Sequence, residues 1–255
     1  IYFTCNLNIF LINKLMKISL ITTVYNGIDS IEQTIESVIR QNYSNLEYII
    51  VDAASTDGTD KILKKYSKYI SHLINEPDKG IYYGINKGIK ISSGEIIATL
   101  NSGDTLFNNA LTTIAKYFRE HEDLDFLFGV VEKKKIHYKY EPNKMWWSFN
   151  FYPAHSGGFY ISKKAQDKIG LYNTKYKCSS DYDLFWKMIR DFKMKGMVTK
   201  KNEVIAKFAP GGFSSKLSLF EHMIEETNIR INNKQNKILV MAIFIAKFIK
   251  HFTKI

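Results

Sequence analysis

Short apolar runs alternate with longer stretches of helical periodicity along the first hundred residues. The apolar runs are rich in β-branched residues and stop at small polar residues, which is typical of buried strands. These predicted strands occupy residues 17–24, 46–51, 70–74 and 95–100. Between them, apolar residues recur at every third or fourth position and predict helices over 28–42, 60–68 and 81–92. Strands that alternate with helices in this way predict an α/β fold, with a doubly wound and mostly parallel sheet.

Polar side chains stand where several of these strands end. Asp52 follows the second strand, and Asn101 and Asp104 follow the strand that ends near Leu100. Open α/β sheets bind their ligands at the carboxyl ends of their strands, so Asp104 is the first candidate partner for a metal or a phosphate. Asn-Ser-Gly-Asp is also an ordinary turn sequence, and the residues 101–104 alone do not separate the two interpretations.

Composition narrows the range of partners. The formal net charge is +11, which favours anionic partners. The excess lies towards the end of the chain, because no acidic residue follows Glu226, and no nucleic-acid motif accompanies it, so we expect no nucleic-acid partner. Cys5 and Cys178 lack metal-ligand spacing and favour a reducing, cytoplasmic setting. Nine successive apolar residues at 238–246 are too few for a membrane span.

Several motifs together carry a family resemblance. They read KISLITTVYNG, IESVIRQNY, YIIVDAASTDGT, NEPDKGIYYGINKGI, SSGEIIATLNSGD and SSDYDLFWKM. In order and spacing, residues 17–215 resemble family 2 glycosyltransferases of the GT-A fold, and the nearest look-alikes build bacterial capsule, O-antigen (lipopolysaccharide) or exopolysaccharide units. The resemblance implies a Rossmann-like nucleotide half, a smaller mixed acceptor half and C-terminal helices.

We accordingly divide the chain at four points. Residues 1–15 are expected to be an extension that precedes the natural start at Met16. Residues 16–215 form one catalytic domain, with a nucleotide-sugar half at 16–107 and an acceptor half at 108–215. Residues 216–255 form basic amphipathic helices.

By the same resemblance, the ends of the first two strands bind the nucleotide. Thr23 and Tyr25 match the family's first nucleotide-contacting turn, where Tyr25 can pack against a uracil ring. Asp52 matches a carboxylate that holds the base, and a carboxylate accepts the imide N–H that uracil has and cytosine lacks. Many relatives carry a second acid directly afterwards, where this chain has Ala53, so the base contact is less closely specified.

The resemblance also implies a phosphate and metal region. Lys79 would meet a phosphate or remain a solvated charge, and Asn86 would bond ribose or sugar hydroxyls. Asp104 would hold Mn²⁺ or Mg²⁺ against the donor diphosphate, whose own oxygens complete the coordination. The family usually presents two or three acids here, whereas this chain has Asn101 and Gly103 in two of those positions. A weak metal affinity is therefore expected.

The acceptor side rests on three residues. His155 lies in a turn that resembles the family's histidine near the acceptor and the diphosphate. Asp181 matches the catalytic base, and its place near a helix start favours the ionised carboxylate that a base requires. Asp183 is the reserve candidate. One base and one leaving group imply a single displacement with inversion, because a retaining route through a covalent intermediate needs a second carboxylate.

Two segments near the end of the chain have their own predictions. Residues 208–215 are expected to close over the donor and exclude water. Residues 237–255 are expected to form a helix that either lies in a membrane interface with snorkelling lysines or packs on the domain or on a second subunit as a homodimer. The first alternative would place the protein at the inner face of the cytoplasmic membrane.

The sequence thus predicts an inverting glycosyltransferase that uses a nucleotide diphosphate sugar, with UDP favoured, and a glycan or lipid-linked acceptor. A sugar nucleotidyltransferase would need a Gly-rich basic phosphate loop after the first strand, and Tyr25-Asn26-Gly27 is not one. A binding protein without catalysis is the other alternative, against which the retained Asp104 and Asp181 argue.

Overall fold

A computed structural model describes residues 15–148, 151–212 and 217–252. The predicted extension therefore lies almost wholly outside the described residues. The first hundred residues form the alternating elements that the sequence predicts. They are β1 (Ile18–Val24), α1 (Ile31–Ile39), β2 (Leu46–Asp52), α2 (Thr59–Lys65), β3 (His72–Asn75), α3 (Ile81–Ile91) and β4 (Ile96–Thr99).

The second part of the chain has shorter strands. In order it contains β5 (Thr105–Leu106), α4 (Ala110–Glu120), β6 (Phe126–Phe128), β7 (Val130–Glu132), β8 (Ile136–His137), β9 (Phe159–Ser162), α5 (Lys163–Ile169), α6 (Ser180–Trp186), β10 (Gly196–Val198) and β11 (Val204–Lys207). Two helices, α7 (Leu219–Asn232) and α8 (Lys237–Phe252), follow.

The main sheet has seven strands in the order β10-β6-β9-β4-β1-β2-β3. β3, β2, β1 and β4 are parallel, and β9 runs antiparallel to both β4 and β6. The prediction of a doubly wound, mostly parallel sheet is confirmed. Val24 of β1 pairs with Asp52 of β2, and Ile21 pairs with Thr99 of β4, so three strand ends reach the same edge of the sheet.

Helices cover both faces of this sheet. Ile18 and Leu20 of β1 face a cluster that contains α1 and α4, whereas Ile21 faces a cluster that contains α3 and α6. α3 lies very close to β1, because a Cβ added at Gly88 would be 2.5 Å from Ile21 Cγ2. This close packing fixes α3, which begins beside the strand ends.

A second, smaller sheet lies beyond the sheet edge and was not predicted. Its order is β5-β11-β7-β8, and β7 and β8 form an antiparallel hairpin. β11 pairs with β5 and β7, so the residues that follow β11 are carried towards the end of β4.

The last two helices form a hairpin. Lys247 Nζ of α8 lies 2.6 Å from Glu226 Oε1 of α7, and the buried Arg230 contacts the same carboxylate. Val240 of α8 is buried, so one face of α8 packs on the protein, as one of the two sequence alternatives requires. In the described ranges, no helix is long and apolar enough to cross a membrane.

Candidate active site

The loops after β1 and β2 are joined by hydrogen bonds. The Asn26 amide donates to Ser55 Oγ at 2.8 Å, and the Thr56 amide donates to Asn26 Oδ1 at 2.9 Å. Asn26 has a positive φ of 48°, which turns the chain sharply after β1. The predicted capping role of this segment is partly wrong, because α2 has Gly58 at its N-cap and no side-chain cap from that residue. The polar side chains instead hold the two loops together.

Asp52 is the most buried acid at this edge, with 0% of its surface exposed. Its Oδ1 accepts hydrogen bonds from the Ser55 amide at 3.1 Å and from Ser55 Oγ at 2.5 Å. Its Oδ2 is buried and has no hydrogen-bond partner among the described residues. Tyr25, one residue beyond the β1 position that pairs with Asp52, is 67% exposed. An unpartnered carboxylate oxygen beside an exposed ring can accept a donor from a ligand.

Thr23 and Asn101 bond to each other. Thr23 Oγ1 donates to Asn101 Oδ1 at 2.9 Å, and the Asn101 amide donates to Ser156 Oγ at 2.8 Å. The structure thus brings these two predicted residues together, but it uses the Asn101 carbonyl oxygen within the protein. That oxygen was the second candidate metal ligand.

Asp104 lies in the tight turn after β4 and is 5% exposed. Its Oδ1 accepts the Ala209 amide at 2.8 Å. Burial raises the pKa of Asp104 to about 6, although a hydrogen bond from Ser156, that of the Ala209 amide and the charge of Lys133 oppose the shift. The carboxylate is therefore ionised at neutral pH and carries only part of its hydrogen-bonding capacity within the protein.

The metal prediction is tested by these donors. Asp104 offers one hard carboxylate, which fits one coordination position of Mg²⁺ or Mn²⁺. Within the described part of the chain, no group of three His, Cys, Asp or Glu side chains is placed to hold a metal. A metal bound here would be held by Asp104 and by oxygen atoms of the donor, as the reduced motif predicts.

Asp181 stands in the first turn of α6 and is buried. Two tyrosine hydroxyls donate to it, Tyr82 to Oδ1 at 3.3 Å and Tyr152 to Oδ2 at 3.1 Å. Burial, reinforced by the charge of Asp181, raises the pKa of both tyrosines well above the usual value. Both hydroxyls therefore stay protonated and hold the carboxylate in one orientation, which suits a general base.

His155 and Asn86 meet at a third tyrosine. His155 Nε2 lies 3.0 Å from Tyr172 Oη. Burial lowers the pKa of His155 against the opposing effect of Asp181, so the ring is neutral at physiological pH. Asn86 Nδ2 donates to the Tyr172 carbonyl and Asn86 Oδ1 accepts the Tyr172 amide, both at 2.9 Å. This pairing joins α3 to the loop before α6 and indicates a structural role for Asn86 rather than the predicted sugar contact.

Asp183 lies away from the Asp181 carboxylate. Its Oδ2 bonds Lys187 Nζ at 2.7 Å, and its Oδ1 accepts Asn233 Nδ2 at 2.9 Å. It lines a cavity of about 690 Å³ between α6 and α7, which does not contain Asp181. The reserve assignment of Asp183 to the acceptor site is therefore wrong on geometry. Lys79 is exposed on the loop between β3 and α3, and its phosphate contact stays a prediction.

Sequence reasoning missed two kinds of residue at this site. Tyr82 and Tyr152 orient Asp181, and each lies in a segment with several other aromatic residues. Lys133 was noticed only as part of a basic stretch, yet its charge acts on both Asp104 and Asp181. A lysine at a strand end was the available signal, but the short strand β7 gave no periodicity to reveal it.

The predicted closing segment is described only to residue 212. Its first residues lie at the site, because the Ala209 amide bonds Asp104. The remainder of the prediction, at 213–215, falls outside the described residues.

Two solved structures are similar to this chain. TarS residues 1–349 of S. aureus, in complex with UDP-GlcNAc, aligns with a TM-score of 0.67 at 18% identity, over 93% of this chain and 73% of that one. The mannosyltransferase PcManGT of Pyrobaculum calidifontis, in complex with GDP-Man and Mn²⁺, aligns with a TM-score of 0.65 at 16% identity, over 92% of this chain and 70% of that one. At these identities the likeness shows the fold, which is GT-A.

Curated relatives and a family model agree with each other. A PGL/p-HBAD biosynthesis glycosyltransferase of Mycobacterium bovis is 25% identical over 195 residues, which cover 73% of this chain and 74% of that protein. An uncharacterized glycosyltransferase of Rickettsia typhi is 26% identical over 189 residues, which cover 68% of this chain and 58% of that protein. The model described as "Glycosyl transferase family 2" matches residues 19–185, more than half of the chain. The chain therefore belongs to glycosyltransferase family 2.

Proposed function

We propose that this protein is an inverting glycosyltransferase that moves a sugar from a UDP-sugar to a hydroxyl of a glycan or lipid-linked acceptor, in the synthesis of a bacterial surface polysaccharide. The observation that carries the choice of UDP is the buried, unpartnered Oδ2 of Asp52. This oxygen can accept the imide N–H of uracil, and an unsatisfied buried acceptor favours a ligand that supplies the missing donor. The UDP-GlcNAc bound by TarS is consistent with this choice.

Asp181 is the base in this proposal. It takes the proton of the acceptor hydroxyl while that oxygen attacks the anomeric carbon, and the electron pair of the breaking C–O bond goes to the β-phosphate oxygen of UDP. Tyr82 and Tyr152 hold the carboxylate during this step. A single displacement inverts the anomeric centre, because no second carboxylate is assigned as a nucleophile.

Asp104 serves the leaving group in the same proposal. A divalent metal, Mn²⁺ or Mg²⁺, bound at Asp104 would supply Lewis-acid stabilisation of the departing diphosphate. The complex of PcManGT with Mn²⁺ is consistent with metal use in this fold. With one carboxylate available, we expect metal binding to be weak without UDP and stronger with it.

The direct test is calorimetry with UDP-, GDP- and dTDP-sugars, each with and without Mn²⁺. The proposal expects one UDP-sugar to bind most tightly, Asp52→Asn to weaken that binding at least tenfold, and Asp181→Asn to retain binding while abolishing transfer. Asp183→Asn, checked for folding by its melting temperature, is the matched control and should retain transfer. Tight binding with no transfer to any acceptor would favour the alternative of a catalytically impaired nucleotide-sugar binding protein. No binding to any donor would reject both.

We further propose that α8 rests on an anionic lipid surface at the cytoplasmic side of a membrane, where a lipid-linked acceptor would be found. Its outer face carries Ile238, Met241, Ile245 and Ile249, and Ile238 is 82% exposed. Lys237 and Lys250 are exposed and flank these residues at helical spacing. An apolar stripe between lysines suits an acidic membrane interface, whereas pairing two copies would bring like charges together.

Vesicle co-sedimentation tests this surface. Binding to phosphatidylglycerol vesicles should exceed binding to phosphatidylcholine vesicles, decrease with salt, and be lost in Ile245→Glu. Leu73→Glu, at an exposed apolar residue of β3, is the control and should bind as wild type does. A dimer in sedimentation velocity that Ile245→Glu dissociates, together with no vesicle binding, would replace this proposal with the homodimer.

A further inference from the structure

Three consecutive lysines, Lys133 to Lys135, form the loop of the β7–β8 hairpin. The Lys133 amide donates to the Lys135 carbonyl at 3.1 Å, which makes the loop tight. Lys134 and Lys135 are exposed. The ammonium of Lys133 instead lies 4.2 Å from the centre of the Phe208 ring, at the end of β11. The same loop thus contains one lysine directed at a specific contact and two neighbours suited as controls.

The contact with Phe208 leads directly to Asp104. The Phe208 amide donates to the Glu132 carbonyl at 2.8 Å, which fixes the segment after β11 against β7. The next residue, Ala209, donates its amide to Asp104 Oδ1, also at 2.8 Å. A continuous series of contacts therefore runs from the Lys133 ammonium through residues 208 and 209 to the candidate metal and diphosphate carboxylate.

The surroundings of Lys133 are those of a ligand site. Partial burial lowers its pKa, while the charges of Asp104 and Asp181 raise it. Its side chain nevertheless has exposed surface. A group that is both desolvated and accessible lies in a concavity, not on a convex face. The cation therefore faces the space bordered by the two carboxylates that the proposed reaction uses.

We propose that Lys133 binds the diphosphate of the nucleotide-sugar donor and neutralises the charge that develops on the leaving nucleoside diphosphate. This inference rests on the proposed function and names a residue that completes its site. When the bond from the anomeric carbon to the β-phosphate oxygen breaks, its electron pair stays on that oxygen, and a fixed ammonium stabilises the charge at once. Asn101 and Gly103 leave Asp104 as the only acid of the 101–104 turn, so the cation is not fully neutralised by acids of that turn.

The experiment compares two ligands that differ only in phosphate. UDP and uridine are titrated by calorimetry, with uridine measured by competition where needed, against wild type, Lys133→Gln, Lys133→Arg and the control Lys134→Gln, each with Mn²⁺ and with EDTA. Lys133→Gln should weaken UDP binding about tenfold or more and leave uridine binding unchanged. Lys133→Arg should restore most of the UDP affinity, and Lys134→Gln should match wild type.

The outcomes separate this inference from the proposed function. UDP binding by Lys133→Gln that equals that of wild type, in Mn²⁺ and in EDTA alike, overturns the role of Lys133 and leaves the glycosyltransferase proposal intact. Equal losses for UDP and uridine indicate that the variant disturbs the whole site, and they also overturn the role. Wild type that binds neither UDP nor uridine rejects the choice of donor and this inference with it.

Discussion

Asp104→Asn is expected to make the protein more stable while it removes function. The carboxylate is 5% exposed, and burial raises its pKa from 3.8 to about 6. The folded state therefore binds the proton of Asp104 more tightly than the unfolded state does. Asparagine keeps an oxygen that can accept the Ala209 amide and carries no charge, so the substitution removes the desolvation penalty and little else.

The size of the effect follows from the pKa. Because the folded-state pKa lies above the unfolded value, the stability linked to this proton is fully present below pH 3.8 and is lost as the pH rises through about 6. A shift of about 2 units corresponds to about 3 kcal/mol above pH 6. We therefore expect Asp104→Asn to exceed wild type in free energy of unfolding by up to about 3 kcal/mol at pH 8, and by less than about 1 kcal/mol at pH 4.

The assay is urea denaturation in EDTA at pH 8 and at pH 4. Asp167→Asn is the control, because Asp167 is exposed and paired with Lys163, and its loss should change the free energy of unfolding by less than about 1 kcal/mol at either pH. Transfer activity and Mn²⁺-dependent donor binding should be lost in Asp104→Asn. Equal or lower stability of Asp104→Asn at pH 8 would refute the reasoning, because it would mean that the folded protein fully compensates the buried charge.

Three further predictions concern the fold and the base. Burial opposes the ionisation of Glu47, but hydrogen bonds outweigh it and hold its pKa at about 2. Its stabilisation is therefore present above about pH 4.5 and lost as the pH falls towards 2, and Glu47→Gln should lower the free energy of unfolding by about 2 to 3 kcal/mol at pH 7, measured with urea. Tyr152→Phe removes a hydroxyl that donates to Asp181, and steady-state kinetics should show kcat about tenfold lower with UDP affinity unchanged. Gly196→Ala would place a Cβ 2.1 Å from Cζ of the buried Phe126, and thermal denaturation should show a loss of about 1 to 3 kcal/mol.

The strand ends could be predicted because two local rules determine them. Apolar runs of strand length end where small polar residues begin, and parallel strands present those ends at one edge of a sheet. Asp52 and Asp104 were located in this way, and the register of β1 with β2 and β4 confirms the common edge. Helix boundaries were less certain: α1 spans Ile31–Ile39 where the pattern predicted 28–42.

The errors at the site have one physical origin. Asn86 and Asp183 were assigned by their place in a motif, but their hydrogen bonds go to Tyr172 and Asn233, which are distant in sequence. No periodicity records which partner a polar side chain will meet after folding. The second sheet was missed for a related reason, since strands of two to four residues, such as β5 and β7, are shorter than the repeat needed to recognise them.

The replacement of two acids at the end of β4 changes the electrostatics of the whole site. Asn101 is neutral and uses its oxygen to accept the Thr23 hydroxyl, so Asp104 is the only carboxylate of its turn. The charge of Lys133 acts on Asp104 at the same edge, which makes this part of the site close to neutral before the donor arrives. A site built from two or three carboxylates requires a metal before it can accept a diphosphate, because like charges repel. With one carboxylate and one ammonium, the affinity for UDP should decrease less on chelation and should fall as salt screens the ammonium.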